Sequence, residues 1–272
     1  MKKTLLAGFL ISSFMASAAD ADSVLAKVRD RYDGQDYISD MTLTTKTKGG
    51  GSSEKSMYML QKDIGDEEFL FISVQAPSDV RNVGFLVKVF KETKQIEDEQ
   101  WMYLPAFRKV RRISAKDKRG AFMGSEFSYF DLDKLRVADF KSTIVGSETI
   151  DGRDTWKIER TPVNQDVINK AGYYKVVIYV DKERDIVLQQ DYVDAKGIVF
   201  KKQQSLKVEL VQDIWTIVES KMVNFTEEKE SHIKYNKTVY NVGLSDGLFN
   251  IMSIKRGVDK SDVVQLTMNH SN

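Results

Sequence analysis

The residue types that most often perform chemistry are scarce in this chain. It contains no cysteine and only two histidines, His232 and His270, in 272 residues. Without cysteine, disulfide frameworks, thiolate zinc sites, thiol enzymes and haem c attachment are excluded. His232 falls in a predicted strand and His270 in a polar tail, and no GxSxG, HExxH, GxGxxG or P-loop spacing occurs. A surface role for His232 is favoured over a catalytic one, and we expect no enzyme, no cofactor and no metal site.

Carboxylates are the remaining candidates for acid–base work. The 40 acidic residues leave a glycosidase-type pair open. Many of them cluster in predicted turns, however, as at Asp66 to Glu68, Asp98 to Glu99 and Glu227 to Glu228. Acids in turns are usually solvated, so the sequence favours no catalytic pair.

The most distinctive charged feature is basic. Arg108, Lys109, Arg111 and Arg112 begin a stretch with seven basic groups up to Arg119. In a strand, Lys109 and Arg111 project to one side while Arg108 and Arg112 project to the other. The stretch is either a solvated edge strand, protected by charge against aggregation, or a site for an anion such as a lipid headgroup.

The first residues are typical of a signal peptide. Lys2 and Lys3 precede an apolar run from Leu5 to Met15, and Ala16 to Ala18 supplies small residues for cleavage after Ala18. The run is too short to span a bilayer, and no cysteine follows it for lipid attachment. The sequence therefore predicts a periplasmic protein, exported by a cleavable signal peptide and not lipid-anchored.

Overall charge argues against one large class of partners. Residues 1–18 contain two lysines and no acid, so the rest of the chain carries 39 basic and 40 acidic groups. A nucleic-acid binder needs a basic excess over a whole face. We expect no nucleic-acid partner, and any basic patch must be local.

Hydrophobic periodicity predicts one helix followed by many strands. Val24, Leu25, Val28 and Tyr32 recur at helical spacing between Asp22 and Tyr32. Alternation with a period of two then predicts about eleven strands at hairpin spacing. They cover residues 39–48, 56–62, 68–75, 84–90, 95–104, 154–161, 173–180, 186–194, 199–210, 214–225 and 232–242.

The apolar faces of these strands need a cover. Residues 114–141, rich in glycine and aromatic residues, are predicted to be a loop with short helices. One helix and this loop supply too few apolar side chains for about eleven strands. The mainly β chain must therefore fold on itself as a sandwich or curl around a partly open apolar lumen, which could hold an elongated ligand.

Four separated segments, in this order, resemble a known bacterial family. They are Trp-Met-Tyr-Leu-Pro-Ala-Phe-Arg-Lys-Val-Arg-Arg-Ile-Ser (101–114), Phe-Met-Gly-Ser-Glu-Phe-Ser-Tyr-Phe-Asp-Leu (122–132), Asp-Gly-Arg-Asp-Thr-Trp-Lys-Ile-Glu (151–159) and Tyr-Asn-Val-Gly-Leu-Ser-Asp-Gly-Leu-Phe (240–249). The family is that of the LolA-like outer-membrane lipoprotein-sorting proteins, and the resemblance extends from about Met41 to Arg256. Its kinship to LolA, LolB and RseB is looser and mainly one of fold. Glu126 stands where many relatives would carry aspartate.

The resemblance implies a fold and a function. The expected fold is an unclosed antiparallel β-barrel of about eleven strands, with short helices as a lid or plug over an apolar cavity. The expected function is a periplasmic carrier of a lipid or lipoprotein acyl moiety toward the outer membrane, with an RND-type inner-membrane exporter and an outer-membrane acceptor as partners. The alternatives are an RseB-like envelope sensor that binds another protein and, less favoured, an envelope enzyme that relies on carboxylates.

Placed on this fold, three groups of residues become candidates. Strand alternation and aromatic content predict that Phe85, Val87, Val89, Trp101 and Tyr103 line the cavity, although plain core packing is favoured for any single aromatic residue. The predicted lid consists of Met123, Phe127 and Phe130. The predicted headgroup or docking site consists of Arg108, Lys109, Arg111 and Arg112.

The expected domain organisation is simple. No linker divides the chain, so residues 19–256 are predicted to form one LolA-like domain after the signal peptide at 1–18. Residues 257–272 are predicted to be a polar, frayed C-terminal tail without an assigned role.

Overall fold

A computed structural model describes residues 20–268 of the chain. The expected signal peptide, residues 1–18, and His270 lie outside these residues. Within residues 20–268 there are four helices, α1 Ala21–Asp30, α2 Gln165–Ala171, α3 Ile251–Arg256 and α4 Lys260–Met268. The strands are β1 Asp36–Thr47, β2 Ser52–Ile64, β3 Glu67–Ala76, β4 Gly84–Phe90, β5 Glu99–Leu104, β6 Lys109–Arg112, β7 Phe140–Ile150, β8 Arg153–Pro162, β9 Lys175–Asp181, β10 Val187–Val193, β11 Val199–Val211, β12 Ile214–Asn224 and β13 Lys229–Tyr240.

All thirteen strands belong to one antiparallel sheet. Its order is β6-β5-β4-β3-β2-β1-β13-β12-β11-β10-β9-β8-β7, so β6 and β7 are its two edges and do not pair with each other. The first and last strands, β1 and β13, meet in the middle, where Leu43 pairs with Ile233. The expected mainly β, unclosed antiparallel half-barrel is confirmed.

The sheet has thirteen strands instead of the expected eleven or so. The two additional strands are β6 and β7, the edges. Much of β7 is exposed, so its sequence lacks the apolar alternation that marks a half-buried strand. Antiparallel pairing with β8 along Phe140–Ile150 holds β7 in the sheet, although the sequence pattern of β7 does not predict a strand.

One face of the sheet, here called the inner face, packs against α1 and the chain between the two edges. Alternate residues such as Met57, Ile72, Phe85 and Ile178 on this face form the larger core cluster. The chain that follows β13 covers the opposite, outer face around β1 to β5, where a smaller core cluster lies. Strand β4 is consequently buried on both faces, whereas β12 alternates regularly between buried and half-buried residues.

Residues 113–139, here called the crossover segment, run from the β6 edge to the β7 edge across the inner face. Ile113, Phe122 and Phe127 of this segment are buried in the larger core cluster. The segment contains three short 3-10 turns and no α-helix. The turns are Ala115–Asp117, Phe122–Gly124 and Phe130–Leu132. The inner face is therefore covered mainly by an irregular segment and not by a second sheet.

The part of the chain after Arg256 differs from the expected frayed tail. Val258 is buried, and Lys260–Met268 form α4. Val263 and Leu266 of α4 pack against the outer-face core. Gly84 of β4 permits the close approach of α3, because a Cβ at that position would lie 2.3 Å from the carbonyl oxygen of Ile254 in α3. Apolar residues on the outer face require a cover, and the C-terminal helices provide it.

Candidate functional site

The inner face provides a continuous apolar surface. Phe85, Val87 and Val89 lie on it in alternate positions of β4 and are buried, as the sequence predicts for residues that face an interior. Across the sheet, Val176, Ile178 and Val180 of β9 belong to the same cluster. Apolar residues from both halves of the sheet thus converge on one interior.

The prediction that Trp101 and Tyr103 share this interior was wrong. In the pairing of β4 with β5, Trp101 lies opposite Leu86 and Tyr103 opposite Gly84, and both aromatic residues pack in the outer-face core. Met102 and Gln100 take the inner positions instead. The aromatic residues are the most hydrophobic of β5, which favours them for the interior. Successive residues of a strand point to opposite faces, however, and the outer face is also covered, so aromatic residues can be buried there as well.

The crossover segment fills the interior with aromatic side chains. The ring of Phe85 lies 5.4 Å from that of Phe122 and 5.6 Å from that of Tyr129, measured between centroids. Of the predicted lid residues, Phe127 is buried, and Met123 and Phe130 are half-buried against the inner-face cluster. The three predicted lid residues therefore lie together in the segment that covers the apolar face.

Polar contacts fasten the middle of the crossover segment to the central strands. The backbone amide of Glu126 donates to Ser231 Oγ at 2.9 Å, and Asn224 Nδ2 donates to Glu126 Oε2 at 2.8 Å. Lys201 Nζ donates to the carbonyl oxygen of Glu126 at 3.1 Å. A few specific contacts, and not a hydrogen-bonded ladder, hold this region on β11, β12 and β13.

A buried charge pair lies within the segment, near the β6 edge. Lys118 Nζ lies 2.7 Å from Asp133 Oδ2, and both side chains are almost completely buried. Gln100 Nε2, on the inner face of β5, donates to Asp133 Oδ1 at 2.6 Å. Burial raises the pKa of Asp133, while Lys118 opposes that rise. Lys118 Nζ also donates to the carbonyl oxygen of Asp98 at 2.9 Å, so this end of the segment is fixed to β5 and to the residue that precedes it.

At one end of the half-barrel the interior meets a charged cavity of about 710 Å³. It lies between α1, the β2–β3 turn, the end of β4, the 91–98 loop and residues 134–136. A second void of about 240 Å³ shares Glu68, Val89 and Lys134 with it. We call the two together the end cavity. Its walls include Val89 and Leu135 of the inner-face cluster, so it adjoins the apolar interior.

Ion pairs and two perturbed carboxyl groups define the end cavity. Lys134 pairs with Glu68, and Arg29 with Glu92. Burial raises the pKa of Asp98 to about 6, with a further contribution from the negative charge of Asp133. Burial likewise raises the pKa of Asp33 to about 6, assisted by Glu68. Both carboxyl groups thus ionise with difficulty and carry incompletely balanced charge at neutral pH.

The sequence does not predict this cavity, because acids in turns are usually solvated. Glu68 is in fact half-buried in its ion pair with Lys134, and Asp98, at the end of the 91–98 loop, is buried. The only local feature that distinguishes Asp98 from other turn acids is that it directly precedes β5. Its burial depends on the crossover segment, which lies far away in sequence.

The basic stretch is exposed and distributed over both faces. Arg111 lies opposite Met102 and pairs with Asp117 at 2.8 Å, while Arg112 lies opposite Trp101 and pairs with Glu99 at 2.6 Å. Arg108 occupies the turn before β6 with a φ of 49°, and Lys109 begins the strand. The expected pairing of Arg108 with Arg112 on one side does not hold, because Arg108 lies outside the strand.

The described residues contain one histidine. His232 lies on β13 with Nε2 2.8 Å from Glu219 Oε1, in a partly exposed position. Within residues 20–268, no group of three or more histidine or acidic side chains has a metal-binding arrangement. None of the helices in the same range is long and apolar enough to cross a membrane.

Comparison with known proteins agrees with this architecture. Residues 65–256 match a family model described as "Uncharacterized protein". Among solved structures, a DUF1329 family protein from Desulfovibrio piger is 28% identical with a TM-score of 0.78, over 86% of this chain and 97% of the other. A putative outer membrane lipoprotein-sorting protein domain from Vibrio parahaemolyticus is 28% identical with a TM-score of 0.78, over 87% and 98%.

A more distant structure shares the fold. A LolA superfamily protein from Nitrosomonas europaea is 16% identical with a TM-score of 0.63, over 86% of this chain and 98% of that one. No curated protein sequence is matched. The chain belongs to the family whose model it matches, and it shares its fold with the LolA superfamily structure.

Proposed function

We propose that this protein is a periplasmic carrier that holds the acyl part of a lipid or lipoprotein against its inner face and transfers it toward the outer membrane. The observation that carries the proposal is the cover of that face. An apolar surface spanning the sheet is closed mainly by α1 and the irregular crossover segment, which can be displaced without breaking a sheet. A fixed structural core would more commonly be closed by a second sheet or by long helices.

The energetics of acyl cargo require such a cover. Each buried CH₂ group is worth about 0.8 kcal/mol, so two long acyl chains represent on the order of 20 kcal/mol of unfavourable exposure to water. A carrier must hide this surface when loaded and hide its own apolar face when empty. Phe122, Phe127 and Tyr129 of the crossover segment perform the second task, and cargo would replace them on Phe85, Val87 and Val89.

The relatives support a carrier. The Vibrio parahaemolyticus structure is described as a putative outer membrane lipoprotein-sorting protein domain and matches over nearly its full length. An RND-type inner-membrane exporter that supplies cargo and an outer-membrane acceptor that takes it are proposed partners, on the family resemblance. The same resemblance and the expected signal peptide support a periplasmic location.

The basic residues are proposed to act at a charged surface, not inside the interior. Arg111 and Arg112 are about 60% exposed and each already has a carboxylate partner. Exposed ion pairs contribute little to stability, so both arginines can exchange their partners for an anionic headgroup or membrane. Lys109 and Arg108, at the same edge of the sheet, extend this surface.

Native mass spectrometry and lipid extraction of the protein purified from its own periplasm test the proposal. We expect co-purifying acyl lipid in near-stoichiometric amount. A protein that is empty and also fails to take up a fluorescent fatty acyl probe contradicts the carrier. A stable complex with another envelope protein, without lipid, would instead favour a sensor.

A disulfide staple tests whether the crossover segment must move. The amide nitrogen of Glu126 lies 2.9 Å from Ser231 Oγ, which places the two Cα atoms within about 7 Å, near the span of a disulfide. The chain has no cysteine, so this is the one disulfide that the double variant Glu126→Cys/Ser231→Cys can form within a single chain. Oxidation should block probe uptake and reduction should restore it, while each single variant serves as control. Equal uptake in both redox states would contradict displacement of the segment.

A further inference from the structure

The connections at one end of strands β3, β4 and β5 converge on a single surface. Gly84, the first residue of β4, lies opposite Ser73 of β3 and Tyr103 of β5. The β3–β4 loop and the β5–β6 turn therefore leave the sheet at the same end. Helix α3 reaches this end too, because a Cβ on Gly84 would lie 2.3 Å from the carbonyl oxygen of Ile254. We call these three segments together the hairpin end, which comprises residues 77–83, 105–109 and 251–256.

The hairpin end carries a local excess of positive charge. It contains five basic residues and one acid, Asp79. All five basic residues are exposed, and none forms an ion pair within residues 20–268. They are Arg81, Arg108, Lys109, Lys255 and Arg256. The first acid after α3, Asp259, is already engaged, because it accepts from the amides of Ser261 and Asp262 at the start of α4. The cations of this surface are thus free to meet an external anion.

Two large apolar side chains are exposed among these charges. Met252 is 70% exposed and Phe107 is 69% exposed, the two highest values for a large apolar residue in the described part of the chain. Single exposed apolar residues are common, so exposure alone indicates no partner. Phe107, however, directly precedes Arg108 and Lys109, and Met252 lies on α3 with Lys255 three residues later. Apolar and cationic side chains are therefore combined on one surface.

The β5–β6 turn fixes the position of Phe107. Pro105–Phe107 form a 3-10 turn, and the amide of Arg108 donates to the carbonyl oxygen of Pro105 at 3.0 Å. Arg108 has a φ of 49°, and Lys109 then pairs with Leu104 across the two strands. A turn that is already closed has little conformational freedom to lose when it binds.

An anionic phospholipid surface matches both features of the hairpin end. Basic side chains are attracted to the negative headgroups. An apolar side chain gains from the boundary between headgroups and acyl chains, about 5–10 Å below the surface. A partner that offered negative charge alone would leave Phe107 and Met252 in water. A bilayer provides the charge and the apolar depth together.

We infer that the hairpin end docks on the surface of an anionic phospholipid membrane, with Phe107 inserted among the headgroups and the five unpaired cations against lipid phosphates. Loading and delivery of acyl cargo require contact with a membrane, so the biological role of this surface rests on the proposed carrier function. Arg111 and Arg112 adjoin the hairpin end on β6, and their exposed ion pairs can open at little cost to add charge.

Flotation with lipid vesicles tests the inference. Wild-type protein is mixed with vesicles of phosphatidylcholine that contain about 30% phosphatidylglycerol, and with vesicles of phosphatidylcholine alone. We expect binding to the anionic vesicles that is at least tenfold stronger than binding to the neutral ones and that weakens as salt is raised. Equal binding to both kinds of vesicle, or no binding to either, would overturn the inference.

Charge variants locate the contact. The double variant Arg108→Gln/Lys109→Gln should weaken binding to anionic vesicles on the order of twentyfold, since each basic residue near such a surface is worth about fivefold. The matched control is Lys27→Gln/Lys234→Gln, which removes two exposed lysines without ion pairs in the described chain and should bind as wild type does. Two-dimensional NMR of each variant confirms the fold. The same loss in both double variants would show that only net charge matters and would overturn the assigned surface.

Insertion of Phe107 is tested separately from attraction of charge. Phe107→Ser should weaken binding to anionic vesicles about tenfold, because burial of a phenylalanine side chain is worth at least that factor. Tyr32→Ser is the control, since Tyr32 follows α1 and is 61% exposed. In vesicles with brominated acyl chains, the added fluorescence of Phe107→Trp should be quenched and that of Tyr32→Trp should not. Equal quenching of the two variants would contradict insertion at the hairpin end.

The outcomes separate docking from carriage of lipid. Acyl lipid that co-purifies with the protein, together with vesicle binding that the hairpin-end variants do not weaken, would overturn the docking surface and leave the carrier intact. A protein without acyl cargo that still loses vesicle binding in Arg108→Gln/Lys109→Gln would contradict the carrier and support the docking surface.

Discussion

Replacing the buried carboxylate of Asp98 should stabilise the protein at neutral pH. The side-chain amide introduced by Asp98→Asn keeps a carbonyl oxygen for the backbone amide of Phe90, which now donates to Asp98 Oδ1 at 3.0 Å. The substitution removes a negative charge that burial and Asp133 oppose, and those two effects raise the pKa of Asp98 to about 6. The variant therefore tests the electrostatics of the end cavity without a ligand.

The magnitude follows from linkage between pKa and folding. In the unfolded chain this carboxyl ionises at about pH 3.9, and in the folded protein at about pH 6. Between these values the unfolded state holds fewer protons, so wild-type stability falls as pH rises. The penalty is about 3 kcal/mol at pH 7.5 and under about 1 kcal/mol at pH 4. We expect Asp98→Asn to recover on the order of 1–3 kcal/mol at pH 7.5 and little at pH 4.

Urea unfolding at the two pH values measures the difference. Asp181→Asn is the matched control, because Asp181 is equally buried but has the opposite environment. Its burial acts to raise the pKa, yet hydrogen bonds from Arg153 and from two backbone amides hold the pKa below its usual value. This variant should lose stability at neutral pH. Destabilisation by Asp98→Asn at pH 7.5 would refute the assignment of an uncompensated charge.

Three further changes have defined outcomes. The double variant Arg111→Glu/Arg112→Glu should slow lipid loading or transfer. Because both arginines are exposed, the free energy of unfolding should change by less than about 1 kcal/mol beyond the loss of their two ion pairs. Unchanged transfer at low salt would exclude a headgroup or docking role. Gly84→Ala should lower the melting temperature, since its Cβ would lie 2.3 Å from a backbone oxygen of α3, whereas Gly49→Ala, with nothing within 4 Å, should not; equal effects would contradict the close approach. Phe127→Ala should cost about 3 kcal/mol or more in urea unfolding, because the ring is buried in the inner-face core; a smaller loss would show that it packs loosely.

Local pattern was sufficient for much of the fold. Period-two alternation located the strands around Phe85, Ile178 and Met222, because a half-buried strand must place apolar residues on one side. It missed the two edge strands, β6 and β7, and the short helices α2, α3 and α4. The exposed residues of β7 carry no such alternation. The motifs identified the family, since they require order along the chain and not tertiary contacts.

Local pattern was insufficient for the faces of the sheet. The sequence shows that Trp101 and Tyr103 are aromatic and alternate with Gln100 and Met102, but alternation alone leaves open which set faces the interior. The outer face here also carries apolar side chains, because the C-terminal helices cover it. Hydrophobicity therefore does not distinguish the two faces of β5. Only the register of β5 against β4 decides the matter.

The amino-acid sequence by itself determined the class of fold, the absence of thiol chemistry and the positions of the aromatic crossover segment and the basic stretch. These are properties of composition and of neighbours within a few residues. The tertiary structure decided that the crossover segment fills the inner face and that Asp98, predicted to be solvated, is buried beside Asp133. Burial and pKa depend on residues brought together from distant parts of the chain, and no local pattern contains that information.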